Sequence, residues 1–263
     1  MIIWPDPYIR WPAGHSPDST ATSQNQGTSL RRRALVSIPD DTAAEHFGLP
    51  DSAVATAARK LVHDVSPDCI YNHTVRSYLF ARELLVVNGP PDDHDDELLF
   101  LACILHDLGA TEHANTDQRF EVDGADAAAL FLRAQDLDAT RIETAWTAIA
   151  LHTSVGLAHR FGPIPAAAHI GISTDIVGAM RHALPDGYAE RVHATWPRYD
   201  LGYALAEIIA RQAERNSAKA PPLSFPAHVL GLLSPGNASA TWIDLIDGAG
   251  WNDRPTAAWQ RTS

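Results

Sequence analysis

Apolar positions recur at helical spacing along most of the chain, and nowhere do they alternate as they would on one face of a sheet. Asp51 and Ser52 stand where a capping residue would open a helix running through residue 63, and Ser66-Pro67-Asp68 interrupts the pattern before a second helix over 69–87. Asn88-Gly89-Pro90-Pro91 predicts its end. The carboxylates of Asp92, Asp93, Asp95, Asp96 and Glu97 then complement the positive end of a third helix, which the nearly unbroken apolar run 98–105 continues and Gly109 stops. Further helices are predicted over 124–134, 138–152, 165–182, 201–214 and 225–233, with polar or Pro/Gly-containing connections. The fold class is therefore all-α. No glycine-rich phosphate loop and no internal repeat supports a nucleotide-binding sheet.

Residues 1–37 are rich in Ser, Thr, Pro, Gln and Asn, a composition that buries too little apolar surface to offset chain entropy, and they are expected to form a mobile arm. Residues 38–263 are expected to form one domain, with a core over about 50–180 and a C-terminal helical extension over 199–263.

With 263 residues, 45% of them hydrophobic and 20% charged, the chain has enough apolar material for one sizeable core. Its net charge of -12 disfavours a nucleic acid partner, which would require clustered cations, and Arg31 to Arg33 read as a solvated segment. Two cysteines, Cys69 and Cys103, do not make a disulfide framework and fit a reducing compartment. The opening MIIWPDPYIRWPAG lacks the basic start and apolar stretch of a secretory signal, and no segment has the length to cross a bilayer. A cytoplasmic protein acting on a small molecule, away from membranes, is expected; a homo-oligomer is compatible with the sequence.

The segment LLFLACILHDLG carries the clearest chemical signal, because an apolar helix ends in His106 and Asp107 side by side. A carboxylate buried without a partner is costly, so this pair demands hydrogen bonds or a cation. A solvent-facing pair at a helix C-terminus is the plain alternative. His73 in IYNHTVRSYLFARELL and Asp175 in IGISTDIVGAM are also polar where a core helix would prefer otherwise. Two imidazoles and two carboxylates on separate apolar helices point toward shared coordination of one divalent ion. Zinc comes first, and iron, manganese or nickel would accept the same donors.

The order His73, His106-Asp107, Asp175 resembles the HD-domain superfamily of metal-dependent hydrolases. The phrases NHTVRSYLFA, LACILHDLGATEHANTDQRFEVDGADAA, AIALHT and STDIVGA resemble, in this order, its cyanamide hydratase-like branch. The resemblance covers about 50–180; it is weak beyond about residue 199 and absent from the N-terminal arm. It implies a helical bundle with a five-helix metal-binding core, additional C-terminal helices and a single metal held by His73, His106, Asp107 and Asp175. Phe120-Glu121-Val122-Asp123 stands where dinuclear relatives carry a further histidine, so a mononuclear centre is expected. His152 falls where dinuclear members use a ligand, and could instead donate a proton or simply close a helix end.

A divalent ion that activates water would let such a centre hydrate the carbon of a small nitrile-like group, with cyanamide giving urea, while a nearby acid protonates the nitrogen. His113 and Glu121 could relay that proton, with an exposed loop position and a structural bond to an Arg or a backbone amide as their plain alternatives. Thr111 and Asn115 could orient substrate or cap a helix, and Arg76 could bind an anion or brace a ligand carboxylate. Cys103 reads as packing within an apolar run. Two rival functions remain: a phosphohydrolase acting on a nucleotide or small phosphomonoester, which needs a cationic pocket that this acidic chain supplies poorly, and a catalytically silent metal-binding regulatory module.

Overall fold

The computed structural model describes residues 41–88, 94–251 and 253–256. The N-terminal arm, the arginine run, most of the expected stop at 88–91 and the carboxylates Asp92 and Asp93 lie outside the described residues. Eleven α-helices occur among those described: α1 (Asp41–His46), α2 (Ala53–Val65), α3 (Asp68–Asn88), α4 (Asp96–Leu105), α5 (Phe120–Ala134), α6 (Ala139–Ala150), α7 (Pro163–Val177), α8 (Tyr188–Thr195), α9 (Leu201–Arg215), α10 (Phe225–Leu233) and α11 (Trp242–Gly248). There is no strand among them, and no helix is long and apolar enough to cross a membrane.

Local chemistry sets the helix starts. The Ser52 side chain accepts the amide of Ala55 at 3.2 Å, Asp95 that of Leu98 at 2.9 Å, and Asp138 those of Thr140 and Arg141 at 3.1 and 3.0 Å, each satisfying an amide that a helix N-terminus leaves unpaired. Pro163 opens α7 two residues earlier than the pattern predicts, its fixed φ suiting the first turn. The same helix ends at Gly178, in the left-handed conformation, and does not run on to His182; residues 181–183 form a separate 3-10 turn. The short helices α1, α8 and α11 have no counterpart in the expected elements.

Three helices form the centre. Every residue of α4 from Leu98 to Leu105 is buried, and α3 and α7 are buried along most of their length; α4 is apolar all round in the way that interior helices are, whereas α3 also buries Asn72, His73, Thr74, Arg76 and Ser77. The α3–α7 crossing is close enough to exclude a side chain: a Cβ on Gly171 would meet the Ser77 carbonyl at 2.2 Å and the Ala81 Cβ at 2.5 Å. This close approach brings Asp175, one turn further along α7, level with His73 on α3. The core does not stop at residue 180. Tyr188, Ala189 and Val192 of α8, and Trp196 after it, belong to the main apolar cluster, and Trp196 packs edge-on against Phe47.

The C-terminal helices grip the segment between Asp107 and α5. Leu201, Leu205 and Ile209 of α9 pack on Cys69, Ile70, Ala110 and Phe120, and Gln212 donates to the Gly109 carbonyl at 3.0 Å. Lys219, buried, donates to the Thr116 carbonyl at 3.1 Å and forms a short ion pair with Asp123, which also accepts the Thr116 amide at 3.1 Å. Replacing Lys219 with Met leaves the Asp123 carboxylate buried without its cation and is expected to destabilise the protein by about 3–5 kcal/mol in urea denaturation. The double variant Asp123→Asn/Lys219→Met should recover most of that loss; a single-variant cost below about 1 kcal/mol would show that the ion pair does not hold the segment.

Candidate metal centre

His73 sits in the second turn of α3, His106 and Asp107 follow the last turn of α4, and Asp175 occupies the last turn of α7. All four are buried. One ligand atom each from His73, His106 and Asp107 lies within 4.8 Å of the others. The His73 and His106 Nε2 atoms are 3.2 Å apart, and Asp107 Oδ2 is 3.3 Å from His106 Nε2 and 3.7 Å from His73 Nε2. Donors bound about 2.0–2.2 Å from one ion stand roughly 3.0–3.6 Å from each other, so the triangle has close to the dimensions of a coordination shell.

The hydrogen bonds around the two imidazoles set their tautomers. His106 Nδ1 faces the Cys103 carbonyl at 2.7 Å, and His73 Nδ1 faces Asp175 Oδ2 at 2.7 Å. Each partner accepts, so each Nδ1 carries the proton and each Nε2 presents a lone pair. Two lone pairs at 3.2 Å repel unless a positive charge lies between them. Asp107 adds a negative charge, and neither of its oxygens, both fully buried, has a hydrogen-bond partner. Such an arrangement is satisfied by a cation held among the three side chains, and the donor set suits a divalent metal.

Electrostatics follow the same logic. Burial opposes the Asp107 carboxylate, but His106, His73 and His152 outweigh it and hold its pKa well below the ordinary value. Burial also opposes protonation of His106, yet Asp107 outweighs it and shifts that imidazole upward. At His73 burial wins and the pKa falls.

Asp175 stands apart from the triangle. It lies on the Nδ1 edge of His73, opposite the edge that faces His106, and its oxygens accept from Arg76 Nε at 2.8 Å and Arg76 Nη2 at 2.7 Å. Arg198 adds a bond of 3.1 Å to Oδ1, and His193 approaches to 3.5 Å. Arg76 itself is fully buried and also donates to the carbonyls of Trp196 and Pro197, so its guanidinium braces a carboxylate and two loop carbonyls. His193 and Arg198 were not among the residues the sequence singled out. Their signal is tertiary, because they reach Asp175 from beyond the motif-bearing segment.

His152 follows the last turn of α6. Its Nδ1 faces the Ile149 carbonyl at 2.7 Å, leaving Nε2 3.9 Å from Asp107 Oδ1, and its ring is edge-on to His106 at 4.9 Å. Burial, and then the charge of His106, depress its pKa to about 4. The ring is neutral near pH 7, with no proton on Nε2 to donate. Next to it, buried Glu121 accepts from Arg119 Nη2 and from the Thr153 hydroxyl, both at 2.6 Å. His169, also unremarked in the sequence, faces the His152 carbonyl through Nδ1 at 2.8 Å.

The remaining expected site residues are not drawn to the cluster. His113 is exposed on a 3-10 turn. Asn115 is half-buried and reaches Glu112 at 3.4 Å, because the turn directs it along the surface. Thr111 is buried, but its hydroxyl donates to the Leu108 carbonyl at 2.6 Å and closes the preceding turn, so it does not cap the turn that follows. The preceding turn, Leu108–Ala110, is itself pressed against α5: a Cβ on Gly109 would fall 1.9 Å from the Phe120 carbonyl oxygen. Both cysteines are free and buried, and burial raises their thiol pKa, as expected of packing residues.

The depressed imidazoles give the metal-free protein a definite acid response. Between the ordinary value of 6.5 and the folded value of about 4 for His152, the unfolded chain binds more protons than the folded one, and His73 acts in the same sense. Stability therefore falls as pH drops through that window, whereas the contribution of His106, shifted upward, is fully present there and is lost only at higher pH. The urea midpoint of chelator-treated protein is expected to decrease from about pH 6 to about pH 4.5; a constant or rising midpoint would contradict the buried, neutral state of these rings.

No curated protein matches the chain. Residues 70–171 match the family model of the HD domain, a stretch that holds His73, His106, Asp107, Glu121 and His152 and ends four residues before Asp175. The centre of this all-helical bundle is thus similar, over residues 70–171, to the HD domain.

Proposed function

We propose that the protein is a metal-dependent hydratase that adds water to a small, uncharged, nitrile-like substrate, such as cyanamide giving urea, with His73, His106 and Asp107 holding one divalent ion. Zinc is the first choice for this donor set. When bound, the ion supplies water acidified toward a pKa of about 7, and hence a nucleophile at neutral pH. The observation that carries the metal reading is the donor-free, fully buried Asp107 carboxylate beside two imidazole lone pairs. One Asp107 oxygen can hold the ion while the other accepts a hydrogen from the attacking water. Glu121, whose carboxylate accepts from Arg119 and Thr153, would relay the proton to the substrate nitrogen.

The charge of the site supports an uncharged substrate over a phosphomonoester. Among the described residues, the cations drawn toward the cluster already hold carboxylates: Arg76 and Arg198 on Asp175, Arg119 on Glu121, and Lys219 on Asp123. Arg160 is exposed. A phosphate would have to displace one of these partners and leave a carboxylate uncompensated.

Purified, metal-loaded protein incubated with cyanamide, simple nitriles and p-nitrophenyl phosphate is expected to form urea or amide and no phosphate. His106→Ala should lose the bound metal and lower the rate by more than about 100-fold. Phosphate release without urea or amide would overturn the hydratase reading, and a metal-loaded wild type inactive on every substrate would favour a silent binding module.

A further inference from the structure

The connection between α8 and α9 is built onto the helix that carries His73. Trp196 is buried in the main apolar cluster, and its carbonyl accepts from Arg76 Nη1 at 2.9 Å. The next carbonyl, that of Pro197, accepts from Arg76 Nη1 at 3.0 Å and from Asn72 Nδ2 at 2.9 Å. Two side chains of α3 thus fix the backbone immediately before Arg198. After it, Tyr199 and Asp200 take left-handed conformations at φ 48° and 59°, and the Leu201 amide donates back to the Arg198 carbonyl at 3.1 Å. Residues with side chains rarely adopt such angles, and they keep them where the surrounding contacts impose them.

The imposed turn aims Arg198 at Asp175. A single nitrogen, Nη1, donates to the Asp175 main-chain carbonyl at 2.5 Å and to its Oδ1 at 3.1 Å. That bridge ties the carboxylate to its own backbone and restricts its rotamer. A plain cap is the alternative, because the last carbonyls of a helix lack amide partners and a cation suits that end. Capping accounts for the bond to the carbonyl and does not require the bond to Oδ1.

The two guanidiniums on Asp175 are not equivalent. Arg76 is fully buried, and removing it would leave a buried carboxylate and two loop carbonyls without donors. Arg198 is half-buried, so its side chain can be shortened without opening the core. The family resemblance implies Asp175 as a ligand, and the structure shows it facing His73 Nδ1 at 2.7 Å; in either role the ion depends on where this carboxylate is held.

We propose that Arg198, which lies outside the stretch matching the HD domain, is a positioning residue of the metal centre that sets the affinity for the ion by holding the Asp175 carboxylate in place. This rests on the metal reading above.

Titration of the metal-free full chain with Co(II), followed by visible absorbance and by competition with a chelator, tests this without reference to activity. Arg198→Met is expected to bind Co(II) about 10–100-fold more weakly than the wild type and to give an altered visible band, with its helical circular dichroism unchanged. Arg198→Lys, which restores a cation able to reach the same two oxygens, should recover most of the affinity and the wild-type band. Should Arg198→Met not fold, Arg198→Gln, which keeps a donor and removes the charge, is expected to show the same weakening. Unchanged affinity and band in a folded Arg198→Met, even with a lowered urea midpoint, would reduce Arg198 to a helix cap and overturn the proposal while leaving the metal centre standing. A lysine variant that binds no better than the methionine variant would overturn it as well, and a wild type that takes up no Co(II) would remove both this role and the metal reading.

Discussion

The structure turns on one electrostatic demand. A carboxylate with both oxygens fully buried and without donors lies beside two imidazole nitrogens whose lone pairs face each other at 3.2 Å. An unsatisfied buried charge costs several kcal/mol, and a folded chain carries such a cost only where something else supplies the missing partner. In the absence of metal a shared proton can partly do so, which is the sense of the upward shift at His106. A divalent cation satisfies all three groups together.

The scaffold holds this demand in place by close backbone contact and by a surrounding set of ion pairs. Gly171 lets α7 lie directly against α3, and Gly109 lets the turn after Asp107 rest on the start of α5, so the supports of His73, His106 and Asp107 leave little room to relax apart. Outside them, Arg76 and Arg198 fix Asp175, Arg119 fixes Glu121, and Lys219 fixes Asp123. The C-terminal helices contribute through Gln212 and Lys219, which bind the segment joining Asp107 to α5.

Much of the fold was legible because the signals are local. Ser52, Asp95 and Asp138 cap helices within their own turns, and the apolar run 98–105 can only be interior. The helices that escaped notice are short, and α8 is held by Tyr188 and Val192 packing into a core already formed by distant elements. At the site, the polar residues that the sequence singled out on apolar helices, His73, His106, Asp107 and Asp175, are all buried. What a sequence does not encode is which edge of an imidazole meets which partner. Asp175 reaches His73 from the Nδ1 side, and no residue pattern announces that. Loop residues were the least legible: His113 is exposed on the 3-10 turn Glu112–Ala114 and Asn115 follows it half-buried, in a segment with no helical periodicity to read.

Anomalous diffraction from crystals of the protein soaked in zinc tests the central claim most directly. The account predicts one strong peak within about 2.0–2.2 Å of Nε2 of His73, Nε2 of His106 and an Asp107 carboxylate oxygen. An interior with no peak between these three side chains, at zinc concentrations that saturate ordinary protein sites, would contradict it.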